Sequence, residues 1–158
     1  MTMITEIPLE EDFQKIKQEV LDLLIYHKNP YQLCLQGTEP NFQDWGAGTG
    51  SIKELDSIYC HIHSSLENSE IARVIKRHDA VRTRIMRMNP KYCYSVHHDR
   101  SKRIHIPIVT DNQAWMVWPY NNFCTQLEEG KLYLTDTTKP HSFFNGSTEE
   151  RIHLVMCV

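Results

Sequence analysis

Apolar residues near the start of the chain recur with the period of an α-helix. They lie three or four positions apart at Phe13, Ile16, Val20, Leu23 and Leu24. This spacing predicts an amphipathic helix, and Pro30 ends it at about Lys28 because the residue before a proline avoids helical geometry. Ser69 is placed to cap a second helix, and the apolar face of that helix would carry Ile71, Val74 and Ile75.

The region between these two helices lacks a helical period. Residues 31–36 predict a short strand. Residues 38–51 contain glycine, proline and asparagine at the density that is typical of a loop. We therefore expect residues 1–78 to form a helical buttress with one or two strands.

From about residue 79 the pattern changes to short runs of β-forming residues. Turn-forming residues interrupt these runs near positions 89–90, 100–101, 111–112, 120–122, 129–130 and 145–146. The six to eight predicted strands, 8–14 residues apart, are typical of a double-sheet barrel or jelly roll. The predicted fold is mainly β, with N-terminal helices packed on one sheet. Residues 79–158 would form the β core, and residues 1–158 a single domain.

The composition fits a folded domain of ordinary size. The chain has 158 residues, a mean hydropathy of −0.48 and no apolar run near the roughly 18 residues of a membrane span. Its first residues lack a basic segment followed by an apolar one, so no secretory signal is expected. The five cysteines are scattered without a CxxC pair, which favours buried thiols in a reducing cytoplasm.

The net charge of −3 is distributed unevenly along the chain. Residues 73–103 contain ten Lys and Arg against two Asp, so this segment carries +8 and the rest of the chain −11. Such runs usually lie on solvated faces, and the alternative is a basic cavity mouth that attracts an anionic small molecule. The total charge does not favour nucleic acid as a partner.

The glycine-rich stretch at residues 44–50 resembles the first motif of S-adenosylmethionine methyltransferases. That motif needs a buried strand before it and a helix after it, so that the backbone can approach the cofactor. Here Pro40 precedes the glycines, no apolar run leads into them, and hairpin signals follow. A flexible loop, which could close over a site as a lid, is the stronger expectation, and a methyltransferase the weaker one.

Two histidines and an aspartate have the spacing of a metal site. His97 and Asp99 lie two residues apart on a predicted strand, so their side chains point to the same face. His141 lies on a later predicted strand, over residues 139–144. Two imidazoles and one carboxylate on one side of a metal form the facial triad of non-haem Fe(II) oxygenases, which leaves three positions open. We predict such a site at these three residues.

An arginine lies ten residues beyond His141. Residues 145–147 (Asn-Gly-Ser) predict a hairpin turn, which would place His141 directly opposite Arg151 on the last strand. A guanidinium in an apolar interior is costly unless an anion pairs with it. A dicarboxylate that chelates iron at one end and binds Arg151 at the other would meet both requirements. The alternative is a surface arginine on an edge strand.

These motifs follow one another in the order of a known family. The order is CYSVHHD at 93–99, RIHIPI at 103–108, EEGK at 128–131, then His141, Asn145 and Arg151. It resembles the aspartyl/asparaginyl β-hydroxylase-like branch of the 2-oxoglutarate/Fe(II)-dependent oxygenases, over about residues 82–158. That branch includes free-proline hydroxylases, and similar short proteins occur in phages. The resemblance implies a double-stranded β-helix, the jelly-roll fold of cupins.

The resemblance also implies roles for individual residues. The iron ligands of the family match His97, Asp99 and His141. Some members replace the carboxylate with glycine, but this chain keeps it, so a complete triad is expected. Arg151 matches the arginine that holds the distal carboxylate of 2-oxoglutarate. Arg103 and His105 match an Arg-x-His pair that contacts the cosubstrate or a substrate carboxylate, and a structural role for this pair stays open.

The other histidines and aromatic residues have simpler interpretations. His98 alternates with the ligands and should face away from them, and His153 is expected to be a core histidine. Residues 60–63 (Cys-His-Ile-His) offer zinc-type atoms without the spacing of a tetrahedral site. Trp118 and Tyr120 are expected to pack, with the wall of a substrate pocket as the alternative.

By resemblance, the chain is expected to be a cytoplasmic Fe(II)/2-oxoglutarate-dependent dioxygenase, acting in the host cytoplasm if it is encoded by a phage. It would hydroxylate a prolyl, aspartyl or asparaginyl side chain, free or in a protein. The cosubstrates 2-oxoglutarate and O2 would yield succinate and CO2, and ascorbate is allowed as an accessory cofactor. No membrane partner is expected, and the oligomeric state stays open.

Two further alternatives remain at this point. One is a non-catalytic cupin-like module that binds a metal or another ligand. The other is a nucleic-acid demethylase of the same chemistry, which the basic segment would suit. Demethylases of that kind resemble this pattern but usually carry a second arginine six residues after the first, where this chain has Cys157. The cysteine weakens that alternative.

Overall fold

The computed structural model describes residues 2–158, and short strands predominate within them. The helices are α1 (Phe13–Tyr26) and α2 (Glu70–Arg77). The strands of the N-terminal part are β1 (Ile4–Ile7), β2 (Gln32–Cys34), β3 (Gln36–Gly37) and β4 (His61–Ile62). The remaining strands are β5 (Val81–Met88), β6 (Tyr92–Cys93), β7 (Arg103–Val109), β8 (Ala114–Trp118), β9 (Phe123–Thr125), β10 (Leu132–Thr135), β11 (Ser142–Asn145) and β12 (Arg151–Cys157).

The strands form two principal antiparallel sheets. The larger sheet has the order β1-β10-β7-β12-β5-β2, the smaller has the order β6-β11-β8-β9, and β3 pairs separately with β4. Six of the seven breaks between strands β5 to β12 fall where the sequence predicts turns, and the break between β10 and β11 is an additional one. Met88 of the larger sheet and Trp118 and Phe143 of the smaller one belong to a single buried cluster. The predicted mainly β, double-stranded β-helix (jelly-roll) fold is therefore confirmed.

The two helices pack on the outer face of the larger sheet. Their buried side chains share one core cluster with Ile104, Ile106 and Ile108 of β7 and with Ile152, Leu154 and Met156 of β12. Side chains alternate across a strand, so the intervening residues of β7 and β12 point to the opposite, inner face. The period-two pattern of these strands thus decides which side chains reach the space between the sheets.

Both helices begin at side-chain N-caps. The Asp12 carboxylate and the Ser69 hydroxyl each accept a hydrogen bond from the backbone N–H three residues on, at 3.2 and 3.0 Å. Helix α1 ends at Tyr26, two residues before the predicted position, because Lys28 and Asn29 adopt left-handed φ angles of 62° and 54°. Within residues 2–158, neither helix has the length and apolar character needed to cross a membrane.

The N-terminal part contains more strands than the sequence predicts. Four strands precede residue 79, where we expected one or two. Strands β1 and β2 form the two edges of the larger sheet, where they pair with β10 and β5. The central residues of β1, Thr5 and Glu6, are exposed, so this short edge strand carries no alternating apolar pattern that could reveal it.

The predicted hairpin at residues 145–147 does not form. Strand β11 pairs with β6 and β8 in the smaller sheet, whereas β12 pairs with β5 and β7 in the larger one. The cross-strand partner of Arg151 is therefore Met88, and that of His141 is His97. The connection crosses between the sheets, and Asn145 Nδ2 stabilises it by donating to a backbone oxygen four residues on, at 2.8 Å.

Candidate active site

The side chains of His97, Asp99 and His141 converge on one point. One potential ligand atom of each lies within 4.8 Å of the other two. The backbones of His97 and His141 exchange two hydrogen bonds, with N···O distances of 3.0 and 2.8 Å, and Asp99 N donates to Thr137 O at 2.8 Å. This short antiparallel ladder fixes the convergence. In the described part of the chain, no other group of His, Cys, Asp or Glu side chains comes together in this way.

Hydrogen bonds to the two imidazoles determine which nitrogen is free to bind a metal. His97 Nδ1 lies 2.8 Å from the carbonyl oxygen of Ser95, and His141 Nδ1 lies 2.9 Å from that of Lys139. A carbonyl oxygen only accepts, so each Nδ1 carries the proton and each Nε2 presents a lone pair. Burial lowers the pKa of His141, which favours its neutral, metal-binding form.

The three side chains lie on the wall of a cavity of about 600 Å³. Two imidazole nitrogens and one carboxylate oxygen on one side of an ion, with open space on the other, suit Fe(II). The same cavity is lined by the other residues that the sequence singles out, Arg103, His105 and Arg151. The structure thus brings all six candidate residues to one place, although the route from His141 to Arg151 differs from the predicted hairpin.

Arg151 is buried without a counterion. It is 2% exposed, and within residues 2–158 no carboxylate lies within 4.0 Å of its guanidinium. Its guanidinium carbon lies 4.5 Å from the centroid of the Phe143 ring, and its Nε has no hydrogen-bond partner in this part of the chain. Burial lowers the pKa of Arg151 to about 10, so the group is still charged at neutral pH. An unpaired buried charge of this kind indicates an anionic ligand.

His105 and His153 form a neutral pair beside this arginine. Their Nδ1 atoms lie 3.0 Å apart, so one donates a proton and the other accepts it. Burial, and then the positive charge of Arg151, hold the pKa of both imidazoles well below the ordinary value. His153 is fully buried, as expected for a core histidine, and its Nδ1 lies 3.5 Å from Arg151 Nη1.

Arg103 contacts acidic groups. Its Nη2 lies 3.7 Å from Asp99 Oδ1, and its Nη1 lies 3.3 Å from Asp56 Oδ2. Burial alone would raise the pKa of Asp56, but the guanidiniums of Arg103 and Arg82 outweigh burial and lower it. Arg103 is therefore placed to orient the Asp99 carboxylate.

The residues that line the cavity and that the sequence analysis did not single out include Asp56, Arg82 and Arg84. Arg82 Nη1 lies 3.0 Å from Asp56 Oδ1, and its other nitrogens donate to the carbonyl oxygens of Gly48 and Gly50 at 2.8 and 2.6 Å. The two arginines are two residues apart in the basic segment 73–103. That spacing was a signal that could have placed both of them on one strand face.

The glycine-rich loop is part of the cavity wall. Residues 50–52 line the cavity, and a 3-10 turn at Asp56–Ile58 follows them where a methyltransferase would have a helix. The methyltransferase alternative is therefore wrong. Arg82 anchors this loop through its hydrogen bonds to Gly48 and Gly50.

Other side chains that the sequence analysis considered lie outside the converging group. His98 is exposed at the edge of the cavity and is not one of the three converging side chains. Trp118 is fully buried, with its ring 6.4 Å from that of His141, whereas Tyr120 is 79% exposed. Neither aromatic ring lines the cavity, so the pocket-wall alternative is wrong for both.

Sequence comparison identifies one matching family. The model of the aspartyl/asparaginyl β-hydroxylase family matches residues 10–158, which is nearly the whole chain. No curated protein matches the chain at a significant level. The match extends well beyond the segment 82–158 in which the resemblance was noted, and it includes both helices.

Solved structures with a similar fold cover almost the whole chain. One is the viral collagen prolyl hydroxylase of Paramecium bursaria Chlorella virus-1, solved as its 2-oxoglutarate complex. Its TM-score is 0.56 at 11% identity, with 99% of this chain and 97% of that chain covered. Another is an oxidoreductase of the 2OG-Fe(II) oxygenase family from Burkholderia pseudomallei, with a TM-score of 0.54, 13% identity and coverages of 98% and 83%. At these identities the similarity shows the shared fold alone.

Proposed function

Because the chain belongs to the aspartyl/asparaginyl β-hydroxylase family, we propose that it hydroxylates a prolyl, aspartyl or asparaginyl side chain, free or within a protein. Family membership gives a hydroxylating, 2-oxoglutarate-dependent oxygenase that uses Fe(II) and O2. The roles of individual residues and the substrate are our own assignment. The observation that carries this assignment is the unpaired, buried Arg151 in the same cavity as the converging His97, Asp99 and His141.

His97 and His141 would bind Fe(II) through Nε2, and Asp99 would bind it through a carboxylate oxygen. The carbonyl oxygens of Ser95 and Lys139 hold the two rings in the required tautomer and orientation. Arg103 Nη2, 3.7 Å from Asp99 Oδ1, would restrict rotation of that carboxylate. These contacts leave one side of the ion free for small molecules.

Arg151 would bind the distal carboxylate of 2-oxoglutarate. Its guanidinium is fixed over the Phe143 ring and carries the positive charge that a carboxylate needs in a buried setting. The neutral His105–His153 pair adds polar atoms beside it without adding a charge. When bound, Fe(II), 2-oxoglutarate and O2 together supply the oxidation, in which a substrate C–H becomes C–OH and 2-oxoglutarate becomes succinate and CO2.

Aromatic side chains on the cavity wall suit an aliphatic group of the substrate. Tyr92 and Tyr94 line the cavity with ring centroids 5.9 Å apart, and Tyr92 is 52% exposed. Apolar ring faces can position an aliphatic group next to the metal side of the cavity.

Within residues 2–158 all five cysteines are free thiols, which supports a reducing cytoplasm as the compartment.

A coupled turnover assay tests this function. The purified protein is supplied with Fe(II), 2-oxoglutarate and O2, together with prolyl, aspartyl and asparaginyl compounds as free amino acids and as peptides. The expected result is iron-dependent succinate release, stimulated by one of these compounds, which gains the mass of one oxygen atom. A folded protein that releases no succinate with iron under any of these conditions contradicts the proposal.

A further inference from the structure

A second arginine in the cavity wall, Arg84, also lacks a counterion. It lies on β5, is 6% exposed and lines the same cavity as the converging ligands. Its Nη1 lies 3.5 Å from Gln32 Oε1, and its Nε has no hydrogen-bond partner among residues 2–158. No carboxylate of that range lies within 4.0 Å of its guanidinium. Like Arg151, it is a buried cation that an anion would stabilise.

The other arginines of the cavity are already engaged. Arg82 pairs with Asp56, and Arg103 lies between Asp56 and Asp99. Arg100 is exposed and donates to backbone oxygens of the neighbouring loop, the closest at 2.9 Å. Among the arginines that line the cavity, within the described residues 2–158, only Arg84 and Arg151 have no acidic or backbone partner closer than 3.5 Å.

Arg84 and Arg151 occupy different parts of the cavity. Arg84 pairs in register with Val155 of β12, four residues from Arg151, which places the two backbone positions about 13 Å apart. After burial, the neighbouring charge that most lowers the pKa of Arg84 is that of Arg82, and Arg103 lowers it further. Arg103 also reaches Asp99. Through Val155, Arg84 lies in register with His105 of β7, two residues from Arg103, whereas Arg151 lies over Phe143.

The net positive charge of the cavity lining favours the binding of a second anion. Five arginines and two aspartates line it. Fe(II) and the 2-oxoglutarate dianion cancel each other, so binding both leaves this positive excess unchanged. With one end of 2-oxoglutarate on the metal and the other on Arg151, neither carboxylate is left for Arg84. A bound substrate, by contrast, must lie near the metal.

We propose that Arg84 binds a carboxylate of the substrate and so selects substrates that carry one. This inference rests on the proposed function, because it assigns the other anion position to 2-oxoglutarate. The carboxylate belongs either to a free amino acid, as its α-carboxylate, or to an acidic side chain within a polypeptide. Both sources present the same planar group to the guanidinium fork.

Arginine Nε–H signals in nitrogen-15 NMR spectra can test this site without knowledge of the substrate. The protein is loaded with Zn(II) in place of Fe(II) and saturated with 2-oxoglutarate, and through-bond correlations assign the signals in the wild-type protein. Acetate is then titrated against acetamide and against sodium chloride of equal ionic strength. We expect a saturable shift of the Arg84 signal with acetate alone, while the exposed Arg73 signal stays in place.

Two variants and two further probes sharpen the result. Arg84→Lys removes the Arg84 signal, should leave no saturable acetate shift at any other arginine signal, and should keep the Arg151 response to 2-oxoglutarate. Arg73→Lys should keep both responses. Free alanine and N-acetyl-aspartyl-N-methylamide then separate the α-carboxylate from the side-chain carboxylate, since the source that fits should saturate the Arg84 signal at lower concentration.

The possible failures are distinguishable from one another. An Arg84 signal that moves when 2-oxoglutarate alone is added would make Arg84 a cosubstrate ligand and overturn the inference. The absence of any acetate response at Arg84 overturns it as well. If instead the Arg151 signal does not respond to 2-oxoglutarate, the proposed function itself is contradicted.

Discussion

In the candidate metal site, one backbone carbonyl oxygen fixes the orientation of each imidazole. The Ser95 and Lys139 oxygens accept from Nδ1 of His97 and His141, so the opposite nitrogens are left for an ion. Each carbonyl lies two residues before its histidine. The local backbone therefore sets the tautomer before any metal arrives, which lowers the cost of assembling the site.

Replacing His141 with alanine should abolish metal binding. The variant loses one of three donors and leaves a site that cannot surround one face of the ion. Anaerobic equilibrium dialysis with Fe(II) measures this directly. His98→Ala is the matched control, since His98 is exposed and outside the converging group, and it should bind Fe(II) like the wild type. Equal loss in both variants would contradict the assignment of His98 to a position outside the metal site.

Replacing Arg151 with methionine should weaken 2-oxoglutarate binding and leave the metal-free fold at least as stable. Loss of one partner of a buried charge pair costs roughly 2–5 kcal/mol in binding. Removing a buried, unpaired charge relieves its desolvation penalty, so the free energy of unfolding should not fall. Calorimetry of the Zn(II)-loaded protein and urea unfolding of the metal-free protein measure the two effects. Arg73→Met is the exposed control. Unchanged affinity for 2-oxoglutarate would remove Arg151 from its role.

At the scale of elements, alternation along strands made most of the site predictable. Arg103 and His105 share a face of β7 because a strand repeats every two residues, and a slip of one residue would reverse that face. His97 and Asp99 converge as predicted, but they do not lie on the predicted strand: an isolated bridge joins His97 to His141, and β11 begins only at Ser142. The hairpin prediction failed because turn residues report only local preference. Sheet partners are chosen by burial, and β12 buries all seven of its residues between β5 and β7.

Replacing Ser69 with alanine should destabilise the protein by about 1 kcal/mol through helix α2. The Ser69 hydroxyl accepts from the Ala72 N–H at 3.0 Å and donates to Leu66 O at 2.6 Å, so the variant loses both contacts. Urea unfolding at neutral pH gives the difference in the free energy of unfolding. Ser57→Ala, at an exposed position, should change it little. A Ser69 variant as stable as this control would contradict the capping assignment.

At the scale of the whole molecule, the charged lining of the cavity depends on contacts that are distant in sequence. Asp56 connects Arg82 with Arg103, and Arg82 in turn holds the glycine-rich loop. The sequence showed a basic segment, but it could not show which of its arginines have counterions. The counterion Asp56 lies more than 25 residues away in sequence from both Arg82 and Arg103, so the distinction depends on how this distant loop packs. It is also the distinction that singles out Arg84 and Arg151.

Stability should decrease as the pH falls below about 6.5, in part because of the His105–His153 pair. The pKa of each imidazole is well below the ordinary value in the folded state, so the unfolded chain takes up protons first and is favoured by acid. Each histidine contributes up to about 1.4 kcal/mol per pH unit in that range. Urea unfolding between about pH 7.5 and 5.5 measures the slope.

A variant isolates the contribution of the buried pair. His153→Gln keeps a polar, neutral group, so its stability should depend less steeply on pH than that of the wild type. His61→Gln, at an exposed position, should keep the wild-type slope. Identical slopes in the wild type and in His153→Gln would show that the pair does not resist protonation in the folded state.

The most direct test of the account is the visible absorption spectrum of the protein under strictly anaerobic conditions, recorded as Fe(II) and then 2-oxoglutarate are added. If the keto acid chelates an iron held by residues 97, 99 and 141, a metal-to-ligand charge-transfer band appears only when both are present. It should be absent in His141→Ala and need more 2-oxoglutarate in Arg151→Met. A wild-type protein that binds both components but never develops the band would contradict the shared site.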